Sequence, residues 1–156
     1  MNAHYFLAAA CPALAAMIRS DFLRREIGTV WLVLFGVCHL SYALMLAGGK
    51  TVAASVALNL VVVGLMFSFL KGYAGFIRRS SVPSGTMVGK GDWWFLGTLA
   101  PGFAPEEYVR FLTLSFALTW VGWKLYAVFR PRTSTVPLVG TVGICFLFYV
   151  FIRALK

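Results

Sequence analysis

Four apolar runs of about transmembrane length constrain the fold more than any other feature of this sequence. A helix needs roughly 20 apolar residues to cross a hydrocarbon core about 30 Å thick, and none of the runs alternates polar and apolar residues as membrane-barrel strands do. The third run is extended at its start by Pro105-Glu106-Glu107, residue types that favour a first helical turn. The sequence therefore predicts a single all-α membrane domain over residues 1–156, with transmembrane helices at 27–47, 52–70, 105–129 and 136–152.

The composition agrees with a membrane location, and the positions of the basic residues account for the positive net charge. Apolar residues make up 60% of the chain and charged residues 12%, about half the charged share of a soluble domain. The formal net charge is +9, which on a soluble protein indicates nucleic acid binding. Here the basic residues flank the apolar runs, so we expect them to bind anionic phospholipids such as cardiolipin and expect no nucleic acid partner. The predicted lipid and interface residues are Arg24, Arg25, Arg78, Arg79, Lys90, Trp93, Trp94, Arg130 and Arg132.

Residues 3–25 precede the first run, and we predict that they form an N-terminal amphipathic helix lying on the membrane or on a partner. Apolar residues recur there at i+4 steps, at Leu14, Ile18 and Phe22. Asp21 and Arg25 have the spacing of a surface ion pair. A fifth transmembrane span over this segment is the alternative.

The connection over residues 71–104 is far longer than a usual loop between helices. It is turn-rich up to Lys90 and then becomes apolar and aromatic, with Trp93-Trp94 close to Asp92. Paired tryptophans beside charged residues are typical of the headgroup region. We therefore predict an interfacial segment around 92–103, and a re-entrant segment or a partner-binding patch are the alternatives.

The basic residues also predict an orientation. With four spans, ten of the 14 Lys and Arg residues fall on the side that holds both termini and the long connection, and three fall on the other side. We therefore expect both termini on the cytoplasmic side of a bacterial inner membrane, or on the matrix side of the mitochondrial one.

Three polar residues lie inside predicted spans, namely His39, Asn59 and Lys124. Such groups are costly in lipid and are functional candidates by default. His39 is either a haem ligand or proton relay, or a neutral side chain bonded to another helix, and the lack of a second histidine in the spans favours the neutral role. Asn59 requires an interhelical hydrogen bond. Lys124 either extends its ammonium group to the interface or provides a charge along the transport route of a channel or carrier.

Small residues predict where helices approach closely. Gly36 shares a helix face with His39 in the first span. Gly64, Ser68 and Gly72 form a stripe with i+4 spacing along the second span. Both sets are predicted to be helix-packing positions.

No motif in the sequence indicates catalysis, a metal or a cofactor. The three cysteines, Cys11, Cys38 and Cys145, lack the spacing of a metal site, and neither a nucleophile elbow nor a phosphate-binding glycine loop is present. The predicted spans contain no carboxylate, and an interfacial enzyme would have to use Asp92, Glu106 or Glu107. The sequence therefore predicts a protein that is not an enzyme and has no cofactor.

The motif layout resembles the ORM family, the small endoplasmic-reticulum regulators of sphingolipid synthesis. The similar features are Trp31 to His39 in the first span, Asn59 followed by Lys71-Gly72, Trp93-Trp94, and Arg110-Phe111-Leu112-Thr113. The resemblance implies four spans and a regulatory role on a sphingolipid enzyme. The intervals between these motifs differ by two or three residues from the family pattern.

The function expected from the sequence is that of a non-catalytic accessory subunit of a larger membrane complex, of the respiratory-chain, ATP-synthase or bacterial envelope type. The chain is small, its spans lack transport carboxylates, and the segments 1–25 and 93–103 present apolar surface that needs a cover. Other membrane subunits are then the expected partners. A small channel or carrier and an ORM-like regulator are the alternatives.

Overall fold

The protein is all-helical over the residues that the computed structural model describes, which are 4–77, 89–129 and 136–154. A short 3₁₀ turn, Ala100–Gly102, follows the fourth helix directly. The helices are α1 (His4–Arg24), α2 (Thr29–Ala47), α3 (Gly49–Ile77), α4 (Lys90–Leu99), α5 (Pro105–Phe129) and α6 (Leu138–Ala154).

Three helices are long and apolar enough to cross a membrane, and they indicate a membrane-embedded protein. These segments are Tyr5–Arg24, Thr29–Ala47 and Gly49–Phe69. Only the last two belong to the predicted set of four spans. Within the described residues α6 is apolar but shorter, so the predicted count of four is not confirmed.

The N-terminal segment forms the expected helix, but its apolar stripe packs on another helix. A Cβ atom built on Gly140 of α6 would lie 2.7 Å from the Phe22 ring, and one on Gly143 would lie 2.9 Å from Ile18. Side chains of α1 therefore pack directly on two glycines of α6, where a larger residue would leave no room for them. The length and composition of α1 fit the alternative of a further span better than a helix lying on the membrane surface.

The contacts between helices define their directions. Phe22 near the end of α1 meets Gly140 near the start of α6, and the α1–α2 turn lies against the start of α4, where a Cβ atom on Gly91 would be 2.8 Å from Ile27. We call this the aspartate end, because Asp21 and Asp92 lie there.

Helices α3 and α5 also lead to the aspartate end. Phe67 in α3 stacks on Trp93 with ring centroids 3.6 Å apart. The hydroxyl oxygens of Thr119 and Thr141 are 2.9 Å apart, whereas Glu107 at the start of α5 lies 3.6 Å from Arg153 near the end of α6. Helix α5 is therefore antiparallel to α6 and runs toward the aspartate end.

The segment predicted to lie at the interface, 92–103, packs against the other helices along one face. Four of its large apolar side chains, Phe95, Leu96, Leu99 and Phe103, are 2% exposed or less, whereas Trp94 is 70% exposed. Thr98 faces Gly36 of α2, and Gly97 faces Leu60 of α3. An interfacial position for this segment stays a prediction. Residues 78–88 of the predicted connection lie outside the described residues.

The break between α4 and α5 leaves backbone carbonyls without helical partners, and side chains of other helices satisfy them. The Asn59 amide donates to the carbonyls of Ala100 and Phe103, at 2.9 and 3.0 Å. His39 Nδ1 donates to the carbonyl of Thr98 at 2.9 Å, so that nitrogen carries the hydrogen. Water is not available inside a bilayer to replace these donors, and the two polar side chains therefore hold α4 in place.

We expect Asn59→Ala to destabilise the protein by about 1–3 kcal/mol, because two buried carbonyls lose their donor. Equilibrium unfolding in mixed micelles would measure the loss. Ser68→Ala is the control, since the Ser68 hydroxyl is exposed and bonds only to the Gly64 carbonyl of its own helix. Equal stability of the two variants would show that the carbonyls do not depend on Asn59.

Candidate active site

The chain contains only two aspartates, and the fold brings them to one end of the bundle although they are 71 positions apart. Asp21 lies in the last turn of α1 and is 6% exposed. Asp92 lies in the first turn of α4 and is partly buried. Two carboxylates from different helices therefore lie at the same end of the bundle.

Asp21 is held at the N-terminus of α6. The Gly140 N–H donates to its carboxylate at 2.6 Å, and this N–H belongs to the first turn of a helix, where backbone donors and the helix dipole stabilise an anion. The positive charge of Arg25 also acts on the carboxylate. The sequence predicted only a surface ion pair with Arg25, whereas the structure buries the carboxylate against α6.

Asp92 lies outside the three span-length helices and is partly buried. Burial raises the pKa of the Asp92 carboxyl, the hydrogen bond from the Gly89 N–H at 2.9 Å opposes the rise, and the negative charge of Asp21 raises the pKa further. The two carboxylates are thus close enough to affect each other electrostatically. The net effect is a pKa of Asp92 above its usual value.

The backbone on both sides of Asp92 is fixed by packing. Ile27 covers Gly91, where any larger residue would collide with it. On the other side, the stack of Trp93 on Phe67 fixes the first turn of α4 against α3. The position of Asp92 therefore depends on the α1–α2 turn and on α3 together.

Helix capping alone does not explain this pair. Ser, Thr or Asn caps a helix N-terminus about as well as Asp. A second, partly buried carboxylate near the first adds electrostatic repulsion and desolvation, which neutral caps would avoid. An unfavourable arrangement of this kind is typical of functional sites, where coupled titratable groups are needed.

An apolar groove of about 630 Å³ begins beside Asp92 and continues between α2 and α4. It is open on its outer side. Its walls are formed by Ile27, Thr29, Leu32, Val33, Gly36, Val37, Leu40, Gly91, Trp94 and Thr98.

The polar residues singled out in the spans have different surroundings. His39 and Asn59 are 1% and 0% exposed and bond to the α4 segment. The free edge of the His39 ring, which carries Nε2, lies directly over Gly102, which leaves no room there for a larger residue. Lys124 is exposed, with its ammonium group 5.8 Å from the centre of the Trp120 ring.

The small-residue positions also differ from one another. Gly36 meets Thr98, since a Cβ atom there would lie 3.0 Å from the threonine methyl group. A Cβ atom on Gly64 or Gly72 would meet nothing within 4 Å, and Ser68 is exposed. Helix packing by this stripe does not occur within the described part of the chain, and packing against a second protein stays a prediction.

The predicted lipid and interface residues are only partly described. Arg24, Arg25 and Trp94 are exposed, and Trp93 is half-buried against Phe67. The side chain of Lys90 lies outside the described residues, as do Arg78, Arg79, Arg130 and Arg132. Lipid binding by this set stays a prediction. Among the described residues no group of three His, Cys, Asp or Glu side chains is arranged to hold a metal ion.

Sequence reasoning missed the pairing of Asp21 with Asp92. It treated Asp21 as part of a helix surface and Asp92 as a headgroup-region residue. The available signal was that the only two aspartates each adjoin a predicted apolar segment, with two glycines just ahead of Asp92.

The raised pKa of Asp92 predicts how stability depends on pH. The folded protein binds the Asp92 proton more tightly than the unfolded chain, so stability should fall as pH rises from about 4 through the folded-state pKa. Asp92→Asn cannot ionise and should flatten this dependence and raise Tm at neutral pH. Tm measured against pH in nanodiscs tests this, with Glu106→Gln as the control because Glu106 is exposed. An unchanged pH slope in Asp92→Asn would contradict the assignment.

Comparison with known proteins gave no relative from which a function follows. No family model, no curated protein and no solved structure matches the chain.

Proposed function

We propose that this protein is a membrane-embedded aspartyl hydrolase that cleaves a peptide bond in a membrane-inserted substrate, with Asp21 and Asp92 as its catalytic pair. The observation that carries the proposal is that the only two aspartates lie at one end of the bundle, Asp21 buried and Asp92 partly buried, and that the charge of Asp21 raises the pKa of Asp92. Two carboxyl groups that share one proton provide both a base and an acid, as in aspartic proteases.

The surroundings of each aspartate assign its role. Asp21 is the base in this proposal, because the Gly140 N–H donates to its carboxylate. It takes a proton from a water molecule as the water oxygen bonds to the carbonyl carbon of the substrate. Asp92 holds the shared proton and gives it to the carbonyl oxygen.

Collapse of the tetrahedral intermediate completes the reaction. The carbon–nitrogen bond breaks, the amine nitrogen receives the proton held by Asp21, and the carbonyl oxygen returns its proton to Asp92. One water molecule is consumed and both carboxyl groups regain their starting states. The step requires no cofactor.

The groove favours a peptide over a sugar substrate. Paired carboxyl groups also hydrolyse glycosides, but sugars need many polar partners. The walls of the groove beside Asp92 are almost entirely apolar. This supports a peptide that enters from the lipid.

The helix directions support a topology in which α1, α2, α3, α5 and α6 cross the membrane. Helix α4 enters from the aspartate end and stops inside the bundle. Both termini then lie opposite the aspartate end. Within the described helices, the basic positions that this topology places toward the aspartate end are Arg19, Arg24, Arg25, Lys71, Lys90 and Lys124, and those toward the other end are Lys50, Arg110 and Arg153. The aspartate end would face the cytoplasm or matrix. The sequence-based placement of both termini on that side assumed that α1 does not cross.

The accessory-subunit, channel and ORM-like roles remain predictions from the sequence. The structure offers no observation that favours one of them. The sequence predicts that the protein is not an enzyme because no catalytic motif is present, whereas the proposal concerns two aspartates that only the fold brings to one end.

We expect both Asp21→Asn and Asp92→Asn to lower the cleavage rate by about 100-fold or more, because each removes a proton-transfer group. The assay would place the protein in liposomes with a library of single-span peptides whose juxtamembrane residues are randomised. Mass spectrometry would detect new termini near the aspartate end.

Glu26→Gln is the matched control for cleavage. Glu26 is acidic and exposed, lies near the same end of the bundle, and has no part in the proposed chemistry. Undiminished cleavage by Asp21→Asn and by Asp92→Asn would contradict the proposal. The absence of any cleavage by the unchanged protein would contradict it as well.

Cysteine labelling tests the topology. In a variant whose native cysteines are replaced, a membrane-impermeant maleimide should label Tyr5→Cys and Lys50→Cys from one side of sealed vesicles and Glu26→Cys from the other, since all three positions are exposed. Labelling of Tyr5→Cys from the same side as Glu26→Cys would show that α1 does not cross.

A further inference from the structure

Four basic side chains described at the aspartate end are exposed and are not joined to an acid. They are Arg19 and Arg24 on α1, Arg25 just beyond it, and Lys124 near the end of α5. None of the four forms an ion pair with a carboxylate in the part of the chain that the structure describes. Glu26 is the only exposed carboxylate described at this end, so the exposed charge there is positive.

At the opposite end of the bundle, most of the exposed basic charge is paired. Arg110 lies 3.8 Å from Glu106, and Arg153 lies 3.6 Å from Glu107. Of the basic side chains described there, only Lys50 has no ion pair. The two ends therefore differ in unpaired positive charge, which a count of basic residues along the sequence does not show.

Large apolar side chains adjoin these charges on the outside of the bundle. Leu23 precedes Arg24 in the chain and is more than half exposed. Trp120 and Leu125, on α5 with Lys124, are also more than half exposed, and the Lys124 ammonium group lies 5.8 Å from the centre of the Trp120 ring. An anion dissolved in water would leave this apolar surface uncovered. A molecule with an anionic headgroup and apolar chains matches both the charge and the apolar surface.

We infer that the aspartate end binds anionic phospholipids, whose headgroup phosphates contact Arg19, Arg24 and Lys124. The acyl chains of the same lipids cover Leu23 and Trp120. Charge complementarity selects this partner, because basic side chains are attracted to the negative surface of an anionic membrane. Arginine also binds phosphate oxygens through two parallel hydrogen bonds. The inference goes beyond the proposed function and does not depend on it.

Spin-labelled lipids test the inference in membranes that contain the whole protein. Electron paramagnetic resonance would compare how strongly labelled phosphatidylglycerol and labelled phosphatidylcholine associate with the protein surface. The unchanged protein should prefer phosphatidylglycerol, and the combined variant Arg19→Gln, Arg24→Gln and Lys124→Gln should lower that preference several-fold. The matched control is Arg110→Gln with Glu106→Gln, which removes an exposed ion pair at the opposite end and should leave the preference unchanged.

Further variants separate a charge effect from misfolding and from soluble phosphate. Arg19→Lys with Arg24→Lys keeps both charges and should keep the preference. Inorganic phosphate should weaken lipid association no more than sulfate at equal ionic strength. Three results would overturn the inference: no preference by the unchanged protein, an equal loss in the control, or selective displacement by phosphate. Cleavage is not measured here, so failure of the lipid site and failure of the proposed function are distinguishable.

Discussion

The fold depends on hydrogen bonds to the backbone carbonyls at the break between α4 and α5, inside the helix bundle. Where α4 ends, the chain turns through a 3₁₀ segment before α5 begins, and its carbonyls cannot be left unpaired in an environment without water. Asn59 and His39 donate to three of them, and Tyr108 donates to the carbonyl of Leu96 at 2.7 Å. His39 and Asn59 are costly inside a span, but their hydrogen bonds stabilise the position of α4 in the bundle.

This arrangement connects the centre of the bundle to the candidate active site. The donors hold one end of α4, and the contact of Ile27 with Gly91 and the stack of Trp93 on Phe67 hold the other. Asp92 is therefore fixed near Asp21 by packing rather than by attraction, since two carboxylates repel each other. Enzymes commonly accept such a local loss of stability at a functional site.

The sequence predicted the regular helices and missed the contacts between distant segments. Helix α5 has the predicted bounds, Pro105–Phe129, because proline and two glutamates mark its start. The burial of α4 was missed because its partners, His39 and Asn59, lie in other helices and no local pattern specifies their contacts. The burial of Asp21 was missed for the same reason, since its partner Gly140 becomes a donor only when α6 packs on α1.

The most direct test of the account is whether Asp21 and Asp92 titrate as a coupled pair. With carbon-13 in aspartate carboxyl groups, an NMR titration in nanodiscs would show only two side-chain signals, because the chain has only two aspartates. The account predicts a raised pKa for Asp92 that moves back toward its usual value in Asp21→Asn, as the neighbouring negative charge is lost. An Asp92 titration that is unchanged by Asp21→Asn would contradict the pairing and the catalytic role built on it.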